Sequence, residues 1–240
     1  MEIRSRIAVT IFTLSFLFLG VASVFSYEFE GTVRVEPPYP EAAKIKVAKK
    51  YQEACSQEQI SESVIISGDG YLKNVVVSLE GNSPGELQRD QSSPKAPVMD
   101  QKNCNFSPHI LIVKQNEPFL VANSDLMAHD VRIFEGSKML FRFEMDALAK
   151  PVEQKLERPG IYLLRCGLHS WMHAFVVARA HSYDTVTDEK GMFRFSDIPS
   201  GKYTVRLWHE TLGETKIPIE VTDSIQNFSY TFPSGLKKAD

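Results

Sequence analysis

The chain has 240 residues, enough for one large or two small domains, and 43 % of them are hydrophobic, an ordinary share for a protein that buries a core. Its formal net charge is −3, which excludes the broad basic face of a nucleic-acid binder. The N-terminus accounts for part of the apolar content. Arg4 and Arg6 precede an uncharged run from Ile7 to Phe25, and the small residues Val24 and Ser26 suit a cleavage site. Residues 1–26 therefore predict a secretory signal peptide, cut near Ser26–Tyr27. An uncleaved anchor is the alternative, because the run approaches membrane-spanning length. No Cys follows the run, so a lipid-anchored start is not expected. Cleavage would leave no membrane span and would put the protein in the periplasm or outside the cell.

Past the signal the chain predicts strands. Phe29–Val35 alternates until the break at Pro37-Pro38, and Glu41–Tyr51 carries a short helical pattern. Tyr71–Leu79 contains the β-rich Val75-Val76-Val77. Residues 81–103 are polar and punctuated by Pro84, Pro94 and Pro97, the composition of a linker. His109–Val113 and Pro118–Ala122 predict a hairpin, with Asn116 taking a left-handed position in its turn. An apolar strand follows Pro159-Gly160, and Ala174–Ala178 is another. From Thr187 onward, short alternating runs (Met192–Phe195, Tyr203–Trp208, Ile217–Val221, Phe228–Phe232) are separated by turns at the spacing of a small antiparallel sandwich.

Three cysteines in an exported chain predict one pair and one left over. Cys166 is the one with ligand-type neighbours, in Cys166-x-x-His169-x-x-Met172, so Cys55 and Cys104 are the expected disulfide. A thiolate, an imidazole and a thioether in one loop are the donors of a mononuclear type 1 copper site, which also needs a second His. His129 supplies it, after Asn123-x-Asp125. The proposed ligands are His129, Cys166, His169 and Met172. The two-residue gap between His169 and Met172 is short, so His173 and His109 stand as alternates for the weak position. A binuclear centre would need a second Cys, and Gly167 and Leu168 offer none. Zinc would suit a Cys with two His, but its only nearby base would be Asp130. Trp171 suggests either core packing or an apolar docking face around an exposed His edge. His181 and His209 are expected to be surface or turn residues.

Asn123-x-Asp125-x-x-x-His129, Pro159-Gly160-x-Tyr162 and Cys166-x-x-His169-x-x-Met172, in that order, resemble the ligand loops of a cupredoxin. Cupredoxins usually carry Asn directly after the upstream His. Asp130 stands there instead, which puts the usual link between the loops in question. Thr187-Asp188-x-x-Gly191-x-Phe193 and Pro199-x-Gly201-x-Tyr203 resemble the transthyretin-like regulatory domain of carboxypeptidases, with Gly31-Thr32-Val33 and Leu72–Leu79 filling its first strands. Together with Cys104-x-Phe106-x-Pro108-His109 and Leu207-Trp208-His209, the whole resembles exported bacterial proteins often labelled methylamine utilisation proteins. The resemblance implies an all-β protein. A cupredoxin-like Greek-key sandwich over 101–179 would be inserted in a regulatory-like sandwich built from 27–100 and 180–233, with a tail over 234–240. It implies one copper ion and an unidentified redox partner protein. The expected function is single-electron transfer without catalysis. Copper storage or delivery, and a metal-free adhesion or scaffold role, are the alternatives.

Overall fold

The structure is a computed structural model that describes residues 26–81, 95–180, 183–222 and 225–234. The signal-peptide reading, most of the linker, His181 and most of the tail lie outside them. Strand β1 (Ser26–Val35) points Phe29, Val33 and Val35 to one side, the two-residue period of a half-buried strand. A connecting segment holds β2 (Lys44–Lys46), a single 3-10 turn, a short helix α1 (Gln52–Cys55) and β3 (Glu58–Ile60). Then come β4 (Val76–Gly81), β5 (Val98–Lys102), β6 (Asn105–Ser107), β7 (Ile110–Lys114), β8 (Pro118–Asn123) and β9 (His129–Glu135). The chain continues through β10 (Lys138–Met145), β11 (Val152–Lys155), β12 (Gly160–Cys166) and β13 (His173–Arg179). Last are β14 (Asp184–Val186), β15 (Met192–Pro199), β16 (Gly201–His209), β17 (Gly213–Val221) and β18 (Ile225–Phe232).

The expected all-β class is what the structure has, in two sandwiches. In one, the sheet β15-β1-β18 faces the sheet β14-β4-β16-β17 across a core that includes Phe29, Val33, Val77, Phe193, Val205 and Leu207. In the other, β10-β9-β12-β13-β7 faces β11-β8-β5-β6 across Phe106, Phe119, Val121, Ile133, Tyr162 and Leu164. Strand β4 is buried on both faces from Val76 to Leu79. Val75, Val77 and Leu79 enter the first core, while Val76 meets Ile110 and Val177 of the second sandwich.

The turn motifs have physical explanations. In both Pro-containing motifs, the Tyr hydroxyl donates to a carbonyl four residues back: Tyr162 to Arg158 at 2.7 Å and Tyr203 to Pro199 at 2.8 Å. Asp188 accepts from the backbone N–H groups of Lys190 and Met192 (2.8 and 2.9 Å), and Gly191 takes φ +64° against the Val33 carbonyl, where no Cβ fits.

Three expectations are corrected. The helical pattern at 41–51 holds only at its end: Lys44–Lys46 forms β2, which pairs with β3, and helical turns begin at Lys49. Val98–Lys102, taken as linker, is a strand that buries Met99 and Gln101 and runs parallel to β8. β7 and β8 are not a hairpin: β7 pairs in parallel with β13, and β8 pairs with β11 and β5. Their apolar side chains fill one core from opposite sheets, so the turn between them changes sheet. Asn116 in that turn does take a positive φ, +62°.

Cys55 and Cys104 are joined in a disulfide, which ties the connecting segment to the turn between β5 and β6. The bridge closes a sequence separation of 49 residues. On the loop-entropy account, replacing both cysteines with Ser costs about 4 kcal/mol. Urea unfolding of the double variant measures this, and a loss under about 1 kcal/mol would contradict it.

Candidate metal centre

Strand periodicity aims the central donors. In β12, Tyr162, Leu164 and Cys166 point inward while Arg165 points out. In the antiparallel neighbour β9, His129, Val131 and Ile133 point inward, and Cys166 lies opposite Val131. The two strands thereby bring Cys166 beside His129. After Cys166 the chain turns sharply, with Met172 N–H donating to the His169 carbonyl (3.1 Å) and Cys166 N–H to the Met172 carbonyl (3.0 Å). This turn folds His169 back over the sulfur.

Cys166 Sγ lies 3.6 Å from His129 Nδ1 and 3.5 Å from His169 Nδ1. The three donor atoms are all within 4.8 Å of one another, and all three residues are buried. Metal–sulfur bonds of about 2.3 Å and metal–nitrogen bonds of about 2.0 Å, opened to about 110–120°, separate sulfur and nitrogen by about 3.5–3.7 Å. The donor spacing therefore fits one ion. Met172 is buried in the same apolar cluster as Cys166. His109 and His173 direct their Nε2 atoms to Glu210 instead.

Asp125 sets the orientation of His129. Its carboxylate accepts from His129 Nε2 at 2.9 Å, which makes Nδ1 the nitrogen that faces the sulfur. The same carboxylate accepts from the backbone N–H groups of Asn103 (2.6 Å) and Cys104 (2.9 Å), so the disulfide-bearing turn helps position the ligand. Burial opposes charge on His129. The Asp125 hydrogen bond and the Cys166 sulfur outweigh it and raise the His129 pKa to about 9. Burial also opposes the Cys166 thiolate, but hydrogen bonds from His129, His169 and the Asp130 and Leu168 backbone lower its pKa to about 5. The sulfur is thus poised as a thiolate, the form that binds metal.

The link between the loops is made by main chain. Gly167 N–H donates to the Asp130 carbonyl at 2.7 Å. The Asp130 side chain is held by Arg132 and Arg142, and although burial opposes its charge, these arginines keep its pKa below the usual carboxylate value. It makes a poor general base, which removes the base of the zinc alternative. A Cβ at Gly167 would run into the ends of the Asp130 and Arg132 side chains, so a larger residue there would displace that ion pair.

His169 presents no exposed edge. His169 has no accessible surface, and Tyr51 covers its ring at a centroid distance of 4.5 Å and Trp171 at 5.0 Å. Trp171 is fixed by donating Nε1–H to the Cys104 carbonyl at 3.1 Å. A ring nitrogen of His169 lies within 4.8 Å of the Cys55 and Cys104 sulfurs, but bonded to each other those sulfurs are not thiolate donors. Met127 also packs its sulfur on the bridge, 3.4 Å from Cys55 and 3.5 Å from Cys104. The cover was missed in the sequence because nothing near Tyr51 carries a ligand pattern. Only the expected disulfide pointed to that segment. His209, expected at the surface, is buried, with Nδ1 accepting from the Thr211 and Leu212 N–H groups at 3.2 and 3.3 Å.

No family model matches the chain, and no curated protein does. Several solved structures are similar to part of it. A copper-containing nitrite reductase (NirK) from Thermus scotoductus SA-01 is 15 % identical over 36 % of this chain, with a TM-score of 0.33. The matched part spans 23 % of that reductase. A purple cupredoxin from Nitrosopumilus maritimus is 20 % identical over 35 % of this chain and 100 % of its own, with a TM-score of 0.32. A reduced Cu(I) form of an amicyanin mutant is 21 % identical over 43 % of this chain and 98 % of its own, with a TM-score of 0.33.

Asp125→Asn keeps the shape of the side chain but replaces the anionic acceptor that fixes the His129 ring. Metal affinity at this centre falls about 10–100-fold. Competition with a chelator measures it, and an unchanged affinity would show that Asp125 does not position His129.

Proposed function

We propose that this chain is an exported copper protein that carries single electrons to or from a partner protein and catalyses no reaction of its own. One observation carries the reading: a buried cysteine sulfur held between two imidazole nitrogens at 3.5 and 3.6 Å. When bound there, copper supplies a one-electron couple between Cu(I) and Cu(II). Cys166, His129 and His169 would hold it, with Met172 as the weak fourth donor, a set that suits both oxidation states. Asp125 and the disulfide-tied turn hold His129, and the Gly167–Asp130 hydrogen bond holds the Cys166 loop. Rigid ligands of this kind keep rearrangement small when charge changes.

Burial of the donors favours a carrier over copper delivery. A delivery protein must release its ion to a partner, and here Tyr51, Trp171 and the disulfide lie over His169. Tyr51 and Trp171 are themselves half-buried, so they connect His169 to the surface as a route for an electron. A metal-free scaffold would have no use for a thiol whose pKa is lowered to about 5. Among the described residues, no helix is long and apolar enough to cross a membrane.

Cu(II) added to the purified protein gives an intense thiolate-to-copper charge-transfer band, and Cys166→Ala abolishes it. A colourless Cu(II) protein, or equal colour in the variant, would overturn the copper reading. In voltammetry, Met172→Gln lowers the potential by about 60 mV or more, a tenfold shift toward Cu(II), with copper still bound. An unchanged potential would remove Met172 from the ligand set. Rapid loss of copper to a Cu(I) chelator on reduction would favour delivery.

A further inference from the structure

A second group of donors lies where the connecting segment and the two sandwiches meet. His109 precedes β7, His173 opens β13, and Glu210 follows β16. One Glu210 oxygen meets His109 Nε2, and the other lies 3.0 Å from His173 Nε2. The two rings stand edge to face, with centroids 5.2 Å apart. One donor atom from each residue lies within 4.8 Å of the other two. His109 is buried, and the His173 and Glu210 side chains are only 22 % and 12 % exposed. Ser63 Oγ lies 3.3 Å from His173 Nε2, and a small cavity lined in part by Glu62, Asn105, His109 and His173 adjoins the group.

The far nitrogens decide how the near ones can be used. His173 Nδ1 is 3.1 Å from the Trp171 carbonyl and can only donate to it. In its neutral form this ring therefore presents a lone pair at Nε2, pointed at a carboxylate oxygen. His109 also turns its Nε2 to Glu210, while its Nδ1, 3.8 Å from Glu62, is buried without a hydrogen bond. The His173 lone pair and the anion it is aimed at need a positive charge between them, from a ring proton or from a metal ion. An imidazole whose outer N–H points at a carbonyl or carboxylate is the usual arrangement of a metal-binding histidine. Metal–ligand bonds of about 2.0–2.2 Å at about 90–110° separate nitrogen and oxygen by about 2.9–3.4 Å, which matches the His173–Glu210 spacing.

We propose that His109, His173 and Glu210 form a second metal site, free of sulfur, for a divalent transition ion of the zinc class. Two imidazoles and a carboxylate are a zinc set with a fourth position open, here toward Ser63 and the adjoining cavity. Without a thiolate or thioether the site does not favour Cu(I), so its ion does not cycle. It acts as a staple, since its ligands come from both sandwiches and Ser63 belongs to the connecting segment. The site is independent of the electron-transfer reading.

The test uses the full chain carrying Cys166→Ser, so that the thiolate centre cannot take the zinc. Zn(II) titration followed by calorimetry gives one ion per chain, and zinc-edge X-ray absorption of that sample shows two imidazoles with oxygen and no sulfur. Adding Glu210→Gln or His173→Gln weakens binding at least 100-fold, whereas adding His129→Gln leaves it unchanged. No stoichiometric zinc, or affinity that follows His129 and not Glu210, would overturn the site and leave a hydrogen-bonded ion pair. The absorption spectrum settles the ligands even if the added variants fail to fold. Failure of the copper reading would appear separately, as a missing charge-transfer band in the unmutated protein.

Discussion

A sulfur atom is buried between two imidazoles, and much of the surrounding structure is arranged to keep it there. Burial alone would raise the Cys166 pKa. Four donors, two imidazoles and two backbone N–H groups, reverse that to about 5. For those groups to reach one atom, two neighbouring strands must end in register and the chain must turn back at once. The Gly167–Asp130 and Cys166–Met172 backbone bonds make that turn, and Gly167 leaves room beside it for the Asp130–Arg132 ion pair. Asp125 extends the constraint outward, since one carboxylate fixes His129 and the turn that carries Cys104.

The disulfide links this inner geometry to its cover. Cys104 sits beside the Asp125 anchor, and Cys55 belongs to the segment that places Tyr51 on His169. The cover and the ligand loops are therefore held by one covalent tie. Along the other flank, Val76 of β4 meets Ile110 and Val177, and Glu210 meets His109 and His173. The second sandwich thus contacts the first through β7 and β13, and β13 is the strand that leaves the metal-side turn. Rigidity at the centre comes from packing on several sides, and the loop's own hydrogen bonds are only part of it.

Much of this was legible in the residues. Alternating strands from β15 onward, the turn motifs with their Tyr residues, and the convergence of His129, Cys166 and His169 follow from local pattern and spacing. The disulfide followed from counting cysteines once Cys166 was set apart by its ligand-type neighbours. What failed depended on partners far away in sequence. β7 and β8 look like a hairpin because the signal for one is local, whereas their assignment to opposite sheets is decided by β13 and β11. Val98–Lys102 reads as linker because its burial comes from β8. Tyr51 and Glu210 carry no motif, and they matter only because folding sets them beside residues far away in sequence. Asp125 was part of the recognised motif, but its role needed the observed contact with His129 Nε2.

The central claim is that one thiolate and two imidazoles hold a single copper ion in a preformed, buried centre. Copper-edge X-ray absorption of the unmutated protein, measured oxidised and reduced, tests this most directly. The account predicts one short sulfur ligand and two imidazole nitrogens in both states, with little change in bond length between them. A spectrum of nitrogen and oxygen ligands without sulfur, or a coordination shell that rearranges on reduction, would contradict it.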